Sequence, residues 1–412
     1  MAKTLKVAVV GMGHGRAHVR VFNEYIDQTE VVMVCDVVEE RARSAAEEHG
    51  IGKWTIRYAD VLAEKDVDLV ALCTPCHLHG QHTLAALDHW KHVMVEVPME
   101  NQSLETLWKI VYMSERRNLK VQMDNQLRWM APTVHMKRLI EQGKLGEIYY
   151  VETEYVHDIE GITIRQDGSP TFRWGLGELA QGSISAGGGL YAIDNAYWLM
   201  GEQFVEVFGY GNKKNMPYRQ VYDHEVALFK TASGAIARCV CSKGPKRPTI
   251  EYAAVYGTKG TLETSGRLPH PPDGPGVYGC FADEDPNYSR GVYGWMYTMS
   301  VKQEDEAAKE QSEHGMVKIE VPPLIVDEEI SGRVGHGGTE YLADLDLVNA
   351  ILEDYQPPCN VYESARSCAG AICAVQSIYE GRPVQVPDIV DRSDAVKRFG
   401  PLPTAHQNSD EL

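Results

Sequence analysis

The sequence predicts an α/β protein: an N-terminal doubly wound parallel sheet of the Rossmann type, then an α/β domain on an open, mostly antiparallel sheet. Three observations carry this prediction. From residue 5 to about 125, short apolar runs alternate with amphipathic stretches. A cluster of glycines follows the first apolar run directly. Beyond Gly143 the hydrophobic period falls to two, with glycine-rich turns between the runs.

Taken in chain order, "KVAVVG", "VVMVCD", "VDLVALCTP", "HVMVEVP" and "KVQMDN" read as strands. Their β-branched residues are nearly continuous, as in strands covered on both faces. Between them lie the helical stretches "HGRAHVRVFNEY", "EERARSAAEEHG", "HGQHTLAALDHW" and "SLETLWKIVYMSERR". The helix "APTVHMKRLIEQGKLGEI" closes at Gly143. Next come the alternating strands "IYYVETEYVHDI", "VEVFGYGNK", "EVALFKTASGAIARCVCS" and "EYAAVYGTKGTLETSG". Two further helices are expected, in "GGLYAIDNAYWLMG" and "EYLADLDLVNAILEDY". The segment from Pro269 to Gln311, heavy in Pro, Gly and Tyr, is expected to be a loop-rich insertion near a site or an interface. The domain boundaries expected from these shifts are 1–125, 126–387 and a polar tail, 388–412.

The net charge of -18 opposes nucleic acid or an anionic membrane as partner, because nothing offsets phosphate repulsion. A local basic run, Lys243 to Arg247, could hold an anionic small molecule or form a solvated turn. The nine cysteines are scattered. Cys73 and Cys76 have C-x-x-C spacing, but no second such pair completes a zinc site, so buried reduced thiols are expected. The start "MAKTLKVAVVGMG" runs straight into a strand without a leader pattern, and no apolar run reaches the roughly 18 residues that span a membrane. A cytoplasmic location is the resulting expectation.

In "VAVVGMGHGRAH", Gly11, Gly13 and Gly15 stand between the first strand and the first helix. Such glycines allow a tight turn and close approach of a pyrophosphate to the helix N-terminus. The third glycine comes one residue early for the standard spacing. Asp36 closes the second strand, where a carboxylate accepts both ribose hydroxyls, and Val37 and Val38 offer nothing to a 2′-phosphate. The expected cofactor is therefore NAD rather than NADP.

With His18 after that turn, "LCTPCHLHGQHTLAALDHWKHV", the Glu96-Val97-Pro98 triplet, "GKLGEI", "TFRW", "GGG" and "GHGGTEY", the chain resembles the glucose-fructose oxidoreductase / inositol dehydrogenase (Gfo/Idh/MocA) group over residues 5 to 388. The resemblance implies an open second sheet that makes subunit contacts, hence a homo-oligomer. It also implies cofactor contacts at Gly11, Gly13, His14, Gly15, Asp36, Thr74, Pro75, His79, Glu96 and Pro98, with His79 beside the nicotinamide. Typical dehydrogenases of the group carry Glu-Lys-Pro, whose lysine helps move the substrate hydroxyl proton; here the position is Val97. Counting from Gly187, their Asp and His places hold Ile193 and Tyr197, with Asp194 one residue off.

Glu-Val-Pro is similar to the NAD-dependent glycosidases of this fold, as are "QGKLGEIYYVETEYVHDIE", "GGLYAIDN", "GHGGTEY" and "NVYESARSCAGAICAVQSIYEGRPVQVPD". That likeness implies transient oxidation of a sugar at C3, which acidifies the C2 proton. Elimination of the aglycone, addition of water and return of the hydride follow. Tyr155, His157, Asp194 and Tyr197 become the catalytic candidates. Tyr155 and His157 share a strand face, while Asp194 and Tyr197 share a helix face. Asp124, Asn125 and Arg128 follow the last parallel strand, where α/β folds place ligands; with Asp158, Arg173 and His336 they are the expected substrate contacts. His14, His18, His77 and His79 share no metal-ligand spacing, so no metal is expected. Two other readings compete: a net NAD-dependent sugar or cyclitol dehydrogenase, and a non-catalytic NAD-binding regulator.

Overall fold

The computed structural model describes residues 4–159, 189–247, 249–265, 276–281, 317–324 and 327–400. The first sheet has six strands: β1 Leu5–Val10, β2 Thr29–Cys35, β3 Trp54–Thr55, β4 Leu69–Leu72, β5 His92–Glu96 and β6 Val121–Asp124. Their spatial order is β3-β2-β1-β4-β5-β6, and every pairing is parallel. β4 is wholly buried and β1 nearly so, which the near-continuous apolar runs require. The order reverses beside β1, so β1 and β4 splay a crevice at their carboxyl ends. Glu96 and Asp124 close the neighbouring strands β5 and β6 in direct register, which brings two acids to the same edge.

The second sheet has nine strands: β7 Ile148–His157, β8 Phe204–Asn212, β9 His224–Thr231, β10 Ile236–Lys243, β11 Ile250–Gly257, β12 Gly260–Thr264, β13 Val277–Phe281, β14 Val317–Ile319 and β15 Val384–Gln385. The order is β14-β13-β12-β11-β7-β10-β9-β8-β15, antiparallel except for the parallel pair β7–β10. Phe229, Ala237, Cys239, Val151 and Thr153 line its covered face, under the buried helix Leu190–Met200. The other face leaves Tyr210, Leu228 and Ile236 exposed, as the period-two pattern requires. The helix Val361–Glu380 packs against both β6 and β8 and so ties the two sheets together.

Three details depart from the sequence reading. Within Pro269 to Gln311, Val277–Phe281 is a sheet strand; the remainder, apart from Gly276, lies outside the described residues. The polar tail contains a helix, Arg392–Phe399, capped by Asp391. The helix Gly335–Glu353 packs on the helix Gly15–Arg20 and on β5 and β6. It therefore returns to the first sheet, carrying Glu340 and Asp344 with it. All cysteines whose placement is described are free thiols, and burial pushes Cys35 and Cys76 up to about 12. No helix among the described residues is long and apolar enough to cross a membrane.

Candidate active site

The glycine-rich turn is built as a cradle. Gly11 has φ +98°, and a Cβ there would lie 2.3 Å from the Cys73 carbonyl oxygen, so only glycine fits. A Cβ on Gly15 would press on Val9 at 3.0 Å, whereas at Gly13 it would meet nothing within 4 Å. Gly13 thus has room over it that none of the described residues fills. Asp36 is buried and accepts from the Met12 and Val38 amides at 2.8 Å each, which fixes its carboxylate beside the turn. Val37 and Val38 are exposed and uncharged. Bare glycine backbone beside a pinned carboxylate fits the pyrophosphate and adenosine ribose of NAD.

On the far side of the crevice, His79 is buried with both ring nitrogens against carbonyls, Nδ1 to Pro98 at 2.7 Å and Nε2 to Thr74 at 2.5 Å. It straps the Thr74-Pro75 turn to the Glu96-Val97-Pro98 turn, and burial keeps its pKa below the ordinary value. Val97 is packed in the core cluster.

Behind these turns lies a cluster of imidazoles and carboxylates. His18 is fully buried, with Nδ1 2.8 Å from Asp344 Oδ2 and Nε2 3.2 Å from Glu96 Oε1. Burial opposes its charge, but the Asp344 carboxylate prevails and holds its pKa well above the usual imidazole range. His14 approaches Glu96 at 3.3 Å and Glu340 at 3.8 Å, and His336 Nδ1 bonds Glu340. His336 lies in a left-handed kink with Gly337 and Gly338. Sequence spacing did not announce this convergence; the fold brings Glu96, Glu340 and Asp344 to the histidines. Glu340 and Asp344, four residues apart on one face of an apolar helix, were the legible signal.

The candidates from the second sheet divide into two groups. Tyr155 and His157, two apart at the end of β7, place Oη 3.0 Å from Nδ1. Tyr191 stacks edge-on against Tyr155 at 5.2 Å and donates to Gln126. Burial, then the Glu251 and Cys241 charges, raise the Tyr155 pKa. Burial, then the Lys243 ammonium, lower that of His157. Lys243 is itself buried, 4.4 Å over the Tyr155 ring. Asp158 sits 3.8 Å from Lys246 at the rim. Arg173 lies outside the described residues.

Asp194 belongs elsewhere. Its oxygens receive Arg128 Nε and Nη2 at 2.8 Å each, and Asn125 donates to Oδ2 as well. Arg128 and Asp194 are both buried, and Asn125 also caps the short turn Gln126–Trp129. Asp194, Arg128 and Asn125 therefore satisfy one another, apart from the Tyr155–His157 pair. Tyr197 donates to Glu363 at 3.2 Å, next to Arg128 rather than next to Tyr155. Asp124 remains apart: it is fully buried beside Glu96 and His18, and among the described residues neither carboxylate oxygen receives a hydrogen bond.

Comparison with known proteins accounts for the two sheets. Residues 5–125 match the description "Oxidoreductase family, NAD-binding Rossmann fold", and residues 133–263 match "GFO/IDH/MocA C-terminal domain". The chain belongs to the Gfo/Idh/MocA oxidoreductase family. Among Gfo/Idh/MocA relatives, a glycosyl hydrolase family 109 protein of Streptomyces coelicolor is 24% identical over 416 residues, covering 93% of this chain and 83% of the relative. A scyllo-inositol 2-dehydrogenase (NAD(+)) of Bacillus subtilis is 27% identical over 267 residues, 64% of this chain and 74% of the relative. The fold is shared with the aldose-aldose oxidoreductase of Caulobacter crescentus, at TM-score 0.71 and 20% identity over 93% of this chain and all of that one (100%). It is shared too with the NAD(H)- and scyllo-inositol-bound scyllo-inositol dehydrogenase of Lactobacillus casei, at TM-score 0.67 and 18% identity over 93% and 99%. The chain is thus an enzyme of a Gfo/Idh/MocA type with an NAD-binding Rossmann domain.

Proposed function

We propose that the protein cleaves a glycoside by a redox-assisted elimination in which NAD is regenerated. The observation that carries this reading is the Tyr155–His157 pair, a proton-handling dyad at the end of β7, in a chain whose residue 97 is an apolar valine. Bound NAD would supply reversible hydride acceptance from a sugar carbon. Gly11, Gly13, Gly15 and Asp36 would hold its pyrophosphate and ribose, and Thr74, Pro75, Glu96 and Pro98 would border its far end.

The work left to the side chains is proton transfer. A carbon-bound proton next to a carbonyl needs a positioned base, and such a base contributes typically 10²–10⁴-fold. Burial keeps Tyr155 protonated and His157 neutral near pH 7. His157 Nδ1 can therefore take the Tyr155 hydroxyl proton while Tyr155 Oη takes one from the substrate. The same pair, run backwards, returns a proton to carbon after water has added. Tyr191 and Gln126 hold the Tyr155 ring in place. Asp158 and His336 remain as sugar contacts, since each is partly exposed at the rim.

Incubation with aryl glycosides, following aglycone release and NADH absorbance together, tests the proposal. Catalytic release without net NADH is expected, with exchange of the C2 hydrogen in deuterated water. Stoichiometric NADH without release would instead establish a net sugar or cyclitol dehydrogenase, the reading supported by the likeness to the Bacillus subtilis scyllo-inositol 2-dehydrogenase. The exposed sheet face with Tyr210, Leu228 and Ile236 supports self-association, and a monomeric mass by light scattering would remove that part.

A further inference from the structure

The cluster behind the cofactor turn is not used by the proton chemistry above. His14, His18 and Glu96 each bring one ligand atom to within 4.8 Å of the others. Glu96 Oε1 stands 3.3 Å from His14 and 3.2 Å from His18, and Asp124 Oδ2 stands 3.5 Å from His18. Ligands bound at about 2.0–2.1 Å around one tetrahedral ion are separated by about 3.3–3.4 Å. The two contacts of Glu96 with His14 and His18 have that spacing, and Asp124 stands next to the trio.

Two independent observations point to a cation rather than to hydrogen bonds alone. Asp124 is 0% exposed, and among the described residues neither of its oxygens receives a hydrogen bond, although a buried carboxylate ordinarily has several donors. Second, His18 presents Nδ1 to Asp344 at 2.8 Å, which leaves Nε2 facing Glu96 and Asp124. A carboxylate behind the distal nitrogen is the usual way a metal-ligating histidine is oriented. The charge balance agrees. Glu96, Asp124, Glu340 and Asp344 gather around His14, His18 and His336, so the site is rich in acids that a cation would balance.

We propose that His14, His18 and Glu96 bind one divalent first-row cation, of the zinc or manganese class, with Asp124 beside His18 as a balancing negative charge. Two imidazoles with one carboxylate suit such borderline ions and leave a position open. The ion takes the place of the Nε2 proton on His18, which is released to solvent as the ion binds. His14, whose side chain is 42% exposed, marks the entry side, while His18 and Asp124 close the inner side. Glu340 stands behind His14 at 3.8 Å. This inference holds whichever reaction the enzyme performs.

The test uses the full chain, stripped with a chelator, saturated with NAD and titrated with Mn(II) under electron paramagnetic resonance. Co(II) is added in parallel for its visible ligand-field bands. One ion per chain is expected. His14→Ala, on the exposed side and so safe for folding, and Glu96→Gln should each weaken binding by about 100-fold, and Asp344→Asn by about 10-fold. Exposed Glu47→Gln should leave it unchanged. Circular dichroism and the thermal melt confirm that each variant is folded. No bound ion in the wild type, or binding indifferent to His14→Ala and Glu96→Gln, would overturn the proposal.

Discussion

Arg128 clamps both oxygens of the Asp194 carboxylate at 2.8 Å each, wholly out of reach of water. Removing one partner of such a pair leaves an uncompensated buried charge, at a cost of about 3–5 kcal/mol. Asp194→Asn should therefore lower unfolding free energy by about that amount in urea denaturation. The double variant Asp194→Leu with Arg128→Met should recover much of it. If Asp194 were instead the general acid, Asp194→Asn would lose activity at unchanged stability.

Tyr155→Phe removes the hydroxyl but keeps the ring against Tyr191. C2 hydrogen exchange should fall by about 10²–10⁴-fold while NAD affinity holds. Unchanged exchange would take Tyr155 out of the proton transfer.

The pH dependence follows from His157. Burial and then Lys243 depress its pKa below the ordinary 6.5, so the base form prevails above that depressed value. Exchange should be flat near neutrality and fall only on an acid limb below pH 6.5. Lys243→Met removes one cause of the depression, so the limb should move to higher pH. A limb that stays put would show that His157 is not the group titrating.

The two turn glycines should separate fold from cofactor. Gly11→Ala meets the Cys73 carbonyl and a positive φ, so it should lower Tm even without NAD. Gly13→Val meets open space, so apoprotein stability should change by no more than about 0.5 kcal/mol, yet NAD titration calorimetry should show much weaker binding. Equal NAD affinity in Gly13→Val would move the pyrophosphate away from this turn.

Both sheets were legible because hydrophobic period is local: continuous runs gave the parallel strands and alternation gave β7 to β12. The Tyr155–His157 contact was legible for the same reason, being two residues apart on one strand face. The Asp194–Arg128 clamp was hidden because the two residues stand 66 apart, a distance no spacing rule bridges. The His18–Asp344 bond spans 326 residues and was equally hidden. Residue type indicates what a side chain can do, but only the fold decides whether that capacity is already spent on a neighbour.

That last bond has a consequence for biosynthesis. The parallel sheet is complete by Asp124, yet His18 and Asp124 stay without Asp344 until more than 200 further residues have been made. At about 5–20 residues per second that is roughly 10–45 s of nascent chain with acids and an imidazole facing an uncovered groove. The N-terminal half should thus emerge from the ribosome as a sheet with an open seam, sealed only when the helix Gly335–Glu353 arrives. Truncations ending before that helix should be held by chaperones, and the last quarter of the gene should control the yield of the first.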